Sequence, residues 1–295
     1  MDAVCVKGGW DVILEFSASK ALIGVLVYHH RRYWGFNLIL PSPMTAYNGI
    51  YILYPDKALK NNFRKGHYTY KITSALIDRL PKHSLYYQQY HYDYDNWLAM
   101  FWKGYKETCR YTYLIDTSQG RELVWNNLKH TVQKDIEKAE QQCTLVELDM
   151  ETYLDEAEKA FAEKKKALPA NKAVLRKLYE NLYPGGQLEI KAAKHDETGE
   201  ILSAQAIVLD SNTSYAIACF YKNRPYIRTT LSYIIWESMF SREEQIFDFE
   251  GSILEGVEQY IRSFGGVLTP HHRIYKVNNP LLKLGLSLFK PDFFG

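Results

Sequence analysis

The stretch Phe247-Asp248-Phe249-Glu250-Gly251-Ser252 leaves the chain little conformational choice. Alternation of period two puts Phe247 and Phe249 on one face of a strand, and Asp248 and Glu250 on the other. Gly251 permits a sharp turn. Ser252, with Glu255 three residues on, has the spacing of a capping box that opens a helix. Ile253, Val257, Tyr260, Ile261 and Phe264 then recur at helical spacing, and Gly265-Gly266 supplies the stop. The expectation is strand, tight turn, helix, with two carboxylates at the joint. On the outer face of an edge strand they are merely solvated; facing a cleft, they can exchange protons.

Similar reasoning extends along the chain. Residues 11–16, 21–28, 36–40, 50–54, 85–90 and 105–115 read as strands, with a helix over 62–80. One long helix is expected over 121–142, because Trp125, Leu128, Val132, Ile136 and Ala139 share a face. Helices over 152–167 and 172–182 are split by Leu168-Pro169. Strands follow over 187–193, 201–209 and 214–220, the first two joined by the turn HDETGE. A helix over 230–240 leads to the opening stretch and its helix, and 267–277 forms a last strand. The fold class expected is α/β (α+β): mixed, mostly antiparallel sheets flanked by helices. The 295 residues suit two domains of about 150, here 1–117 and 118–295.

Hydrophobic residues are 46% and charged residues 24%, a globular balance. The 24 tyrosines lift aromatics to 15%, and half-buried strands absorb them more readily than a base-stacking surface does. A net charge of +2 creates no field for DNA, which is not an expected partner. The charge is uneven, however. Lys57, Lys60, Arg64, Lys65, Lys71, Arg79 and Lys82 face a single acidic residue, Asp78, and no acidic residue occurs from Arg262 to Lys290. Either patch is a solvated face or a place for phosphates. Four cysteines stand far apart without a C-x-x-C pair, no signal-peptide pattern opens the chain, and the longest apolar run, 21–28, falls short of the roughly 20 residues that span a bilayer. A cytoplasmic protein is expected. His29-His30 and His271-His272 point to opposite faces of their strands, so no metal is expected. Dinucleotide, Walker and G-x-S-x-G patterns are absent.

Four segments carry a family resemblance: Pro43-Met44-Thr45-Ala46-Tyr47-Asn48-Gly49, Trp102-Lys103-Gly104-Tyr105, Arg110-Tyr111-Thr112-Tyr113, and the opening stretch with Phe264-Gly265-Gly266. In this order they resemble the FemABX group of the GNAT N-acetyltransferase superfamily, the peptidoglycan aminoacyltransferases and their relatives, over residues 10–276. The resemblance implies two tandem GNAT-like domains and transfer of an acyl or aminoacyl group to an amine. The acceptor it implies is a cell-wall (muropeptide) precursor or a related amino compound, and the donor an aminoacyl-tRNA, with no cofactor required. It makes Tyr47, Asn48, Trp102, Lys103 and Tyr275 substrate-binding candidates, and Lys276 a cationic stabiliser on the last strand. The chain departs from the group at Gln133-Lys134-Asp135-Ile136-Glu137-Lys138-Ala139, where relatives carry R-x-x-I-R-K-A. Two basic positions for tRNA are lost there.

Acyl transfer to an amine needs a base for the amine proton and donors for the tetrahedral oxyanion. Asp248 and Glu250 are the best-placed carboxylates. Ser252 reads as a helix cap rather than a nucleophile. The stretch YKNRPYIRTT, 221–230, stands where a coenzyme A pyrophosphate loop would be, and it has no glycine to form a backbone cradle. Lys222, Arg224 and Arg228 offer side-chain contacts to phosphate instead. Acetyl-CoA thus ranks behind aminoacyl-tRNA, and an acetyl-CoA-dependent N-acetyltransferase is the first alternative. A non-catalytic GNAT-like module that binds nucleotide or RNA is the second. The Leu- and Phe-rich tail, with Lys276, Lys283 and Lys290, either docks on its own domain or makes peripheral contact with a membrane.

Overall fold

The computed structural model describes residues 1–5, 7–225, 227, 229–241 and 245–289. Two compact units divide the chain: Met1–Arg110 with the segment from Pro270 onward, and Tyr111–Thr269. The expected boundary at 117/118 and the observed one at 110/111 differ because one strand, 106–116, runs through the division. Nor are the units two consecutive halves, since the end of the chain returns to the first.

Unit 1 contains β1 (Gly9–Phe16), β2 (Leu22–Tyr33), β3 (Phe36–Leu40), β4 (Gly49–Ile52), α1 (Asp56–Leu59), α2 (Asn62–Asp78), β5 (Leu85–Gln89) and α3 (Leu98–Trp102). Strand β6 (Lys106–Asp116) begins there and ends in unit 2. Hairpins join β1 to β2 and β2 to β3; β4 pairs with the early part of β2, and β3 runs parallel to β5. Asn61 caps α2 by accepting from the Arg64 amide at 2.9 Å. Gly66 and the β-branched residues weaken α2 as an isolated helix, but burial of Ile72, Thr73, Leu76 and Ile77 supplies the missing stability. Gly24 of β2 lets this helix approach closely, for a Cβ there would lie 2.4 Å from Ile72 Cγ2. Leu26, Ile39, Tyr86 and Tyr90 complete the core beneath it.

Unit 2 contains α4 (Arg121–Asn127), α5 (His130–Gln142), β7 (Cys143–Glu147), α6 (Met150–Glu163), α7 (Lys172–Leu182), β8 (Leu188–His195), β9 (Ile201–Leu209) and β10 (Thr213–Tyr221). It continues with α8 (Leu231–Met239), β11 (Ile246–Asp248) and α9 (Glu255–Arg262), and β12 (Val267–Val277) leads back into unit 1, where it pairs antiparallel with β5. The chain's described part ends in α10 (Pro280–Phe289), which turns Leu281, Leu284 and Leu288 outward. The unit 2 sheet runs β6-β11-β10-β9-β8-β7; β10 and β11 are parallel, and the other pairs antiparallel. Strand β9, almost wholly apolar, is buried along most of its length, as a central strand covered on both faces must be.

The structure alters three local expectations. The helix over 121–142 is broken: Leu128 and Lys129 are extended, with ψ of 142° and 136°. An unbroken helix would send the Lys129 N–H to the Trp125 carbonyl, but it donates to Ser263 at 2.8 Å, and Gln133 Nε2 donates to Trp125 O instead. The break lets Trp125 meet Trp236 edge-on while α5 packs on α8. The capping box does not form. Helix α9 begins at Glu255 behind Leu254, with no side-chain cap, and Ser252 Oγ accepts from the Leu254 amide two residues on. Strand β7 is the third difference: Thr144 and Glu147 interrupt its apolar run, and its pairing with β8 supplies what the pattern lacks.

Candidate active site

Strand β11 is interior, hydrogen-bonded to β6 on one side and to β10 on the other. Its alternation works as expected for the phenylalanines: Phe247 and Phe249 are buried in one core, ring centroids 5.1 Å apart. The carboxylate face is not solvent, however. Asp248 is fully buried, and its Oδ1 accepts from Thr112 Oγ1 of β6 at 2.5 Å and from the Glu250 amide at 2.7 Å. That second bond closes a tight turn in which Glu250 has φ 55° and Gly251 φ 68°. A Cβ at Gly251 would lie 1.9 Å from the Tyr111 carbonyl oxygen, so only glycine fits. A non-glycine residue held in the left-handed region costs about 1–3 kcal/mol and persists where its surroundings enforce it.

The turn places the Glu250 carboxyl among protein atoms although part of the residue stays exposed. Burial, with the nearby Asp248 charge as the second cause, pushes its pKa up to about 8. An acid tuned close to neutrality can both accept and return a proton. Thr112 is a partner that sequence reasoning missed. It lies within Arg110-Tyr111-Thr112-Tyr113, but nothing local signals that its hydroxyl would meet a residue 136 positions away.

The loop after β10 has a different character. Lys222, nearly buried, pairs with Glu156 at 2.7 Å and with Glu200 at 3.4 Å. Arg224 donates to Glu163 through both terminal nitrogens and to Glu200 through Nε and Nη2. The guanidinium holds Glu200 and Glu163 below the usual carboxylate range. Lys222 and Arg224, expected to meet phosphate, are thus committed to three carboxylates, all distant in sequence. Arg228 lies outside the described residues.

The remaining candidates belong to unit 1. Tyr47 is buried, its ring edge-on to those of His91 and His271, each 5.1 Å away. Asn48 bridges to Tyr90, and its Oδ1 accepts from Ser42, while its buried Nδ2 has no partner among the described residues. Buried His271 likewise has no hydrogen-bond partner for Nδ1, and its pKa is pushed down to about 4, chiefly by burial. Trp102 is exposed and meets Tyr70; Lys103 pairs with Asp78 at 2.6 Å. Lys276, half-buried on β12, donates to the Lys103 carbonyl at 2.8 Å and lies over the Tyr105 ring. Tyr275 stands opposite Tyr87 of β5. The structure therefore joins Asp248 to Glu250 in unit 2, and Tyr47 to Asn48 and Lys103 to Lys276 in unit 1.

The architecture is that of a mixed α/β protein with sheets flanked by helices. Among solved structures it is similar to FemX, at 13% identity and a TM-score of 0.66, over 94% of this chain and 90% of that one. L-PGS from Bacillus licheniformis follows at 10% identity and a TM-score of 0.53, over 94% and 88% of the two chains. The C-terminal domain of a putative lysylphosphatidylglycerol synthetase from Agrobacterium fabrum matches at 10% identity and 0.51, over 96% and 88%. No family model and no curated protein matches the chain. No helix among the described residues is long and apolar enough to cross a membrane.

Proposed function

We propose that the protein transfers an acyl or aminoacyl group to an amine, with Glu250 as the proton carrier. The observation that carries this reading is the Asp248–Glu250 turn, where buried Asp248 and a strained backbone hold a carboxyl whose pKa is raised to about 8. The amine nitrogen attacks the carbonyl carbon of the donor, forming the C–N bond, and its proton passes to the Glu250 carboxylate. Collapse of the tetrahedral species breaks the bond to the donor oxygen or sulfur, and Glu250 returns the proton to that leaving group. Asp248, held by Thr112 and the Glu250 amide, is a positioning residue that keeps the neighbouring carboxyl basic.

An aminoacyl ester such as aminoacyl-tRNA ranks ahead of acetyl-CoA as donor. The 221–230 loop lacks a glycine cradle, and Lys222 and Arg224 are engaged by Glu156, Glu163 and Glu200. The fold shared with FemX and with a lysylphosphatidylglycerol synthetase domain, whose name is that of an aminoacylating enzyme, supports the same order. The acceptor we propose is a muropeptide amine. The test is mass spectrometry of products from aminoacyl-tRNA or acetyl-CoA with a muropeptide acceptor, using wild type and Glu250→Gln. A product in wild type that is absent in the variant is expected. No product with either donor, from protein that melts cooperatively, would refute the reading.

A further inference from the structure

Helix α2 has two apolar faces, and only one belongs to the core. Thr69, Ile72, Thr73, Leu76 and Ile77 are buried. On the other side Phe63, His67 and Tyr70 recur at i, i+4 and i+7 and form a ridge. Phe63 stacks on His67, with ring centroids 6.4 Å apart, and Tyr70 meets Trp102 of α3 edge-on at 5.5 Å. Phe63 is 82% exposed and Trp102 64%. Leu59, just ahead of the helix, is also exposed. Isolated exposed apolar residues need no explanation, but a continuous row of them does.

The charges on the helix that carries the ridge have one sign as far as Ile77. No Asp or Glu occurs between Lys57 and Ile77. Lys65 and Lys103 are paired with Asp95 and Asp78. Lys60, Arg64 and Lys71 are exposed and have no acidic partner among the described residues. Arg64 and Lys71, seven apart, flank Phe63 and Tyr70 along the same two turns.

We infer that this ridge is a docking surface for an anionic lipid bilayer. Aromatic rings at the headgroup boundary bury their apolar bodies, and cations around them gain from the negative surface potential. A single-stranded nucleic acid fits the ridge less well. Its rings are already occupied with one another, Phe63 with His67 and Tyr70 with Trp102, and an aliphatic Leu59 offers nothing to a base. The inference does not rest on the transfer reaction.

Flotation of the full chain with vesicles tests it. Vesicles of phosphatidylglycerol and phosphatidylcholine should carry the protein, less so as salt rises, and phosphatidylcholine alone should not. Lys60→Ala/Arg64→Ala should lower the partition constant about thirtyfold, the effect of two cations near an anionic surface. Phe63→Ala/Trp102→Ala should lower it at least tenfold. Trp34→Ala, equally exposed but outside the ridge, should leave it unchanged, and so should Glu250→Gln, which separates this surface from the catalytic reading. No flotation with anionic vesicles, or equal flotation with neutral ones, would overturn the inference. So would ridge variants that keep vesicle binding but lose a tRNA gel shift, or lose a dimer detected by light scattering.

Discussion

Glu250 binds its proton more tightly folded than unfolded, which fixes the sign of its effect on stability. Its contribution is complete below the ordinary value of 4.5 and is lost as pH climbs through about 8. Glu250→Gln has no charge to bury. It should melt with the wild type near about pH 5 and above it near about pH 9, by ~2–4 °C for each kcal/mol recovered. Catalysis runs the other way, since the base must be unprotonated: kcat/KM for the wild type should rise with pH to a plateau above about 8. A flat profile over that range would remove Glu250 from proton transfer. Thr112→Val deletes a hydroxyl donor to buried Asp248. Denaturant titration should show a loss of about 1–3 kcal/mol. Thr112→Ser, which keeps the hydroxyl and loses the methyl, should restore that stability, an outcome that a purely packing role for the methyl group does not predict.

Among the elements, those written in periodicity were legible in advance. Strand β9 and helix α7 coincide with their expected residues because an almost wholly apolar run and an Asn171 cap mark them locally, and β12 does so starting just past Gly265-Gly266. What was not legible depends on partners far along the chain. The helix break at Leu128 follows from the bond between Lys129 and Ser263, and the commitment of Arg224 follows from Glu163 and Glu200. In the candidate site, the two carboxylates and the turn glycine could be read from spacing, whereas burial of Asp248 and its Thr112 partner could not. The basic loop gives a direct test of this difference. Lys222→Met removes the buried cation between Glu156 and Glu200, which keep Lys159 and Arg224 as partners, and should cost about 1–3 kcal/mol in denaturant titration. KM for the donor should stay constant. A variant with unchanged stability and weakened donor binding would return this loop to phosphate recognition.

At the scale of the whole molecule, the boundary of the units decides which fragments can stand alone. A fragment of residues 118–295 omits β6, the strand that pairs with β11 and carries Thr112. It should show no cooperative melting transition by circular dichroism; a sharp transition would mean that β6 is dispensable to unit 2. The return of β12 to unit 1 also bears on synthesis. Strand β5 finds its antiparallel partner only when residues 273–277 have been made, whereas all of unit 2 precedes Pro270. At about 5–20 residues per second, the β5 edge waits on the order of ten seconds or more on the ribosome. The first unit to be translated is thus the last to be completed, and a nascent chain has the greatest need of a chaperone over its N-terminal third.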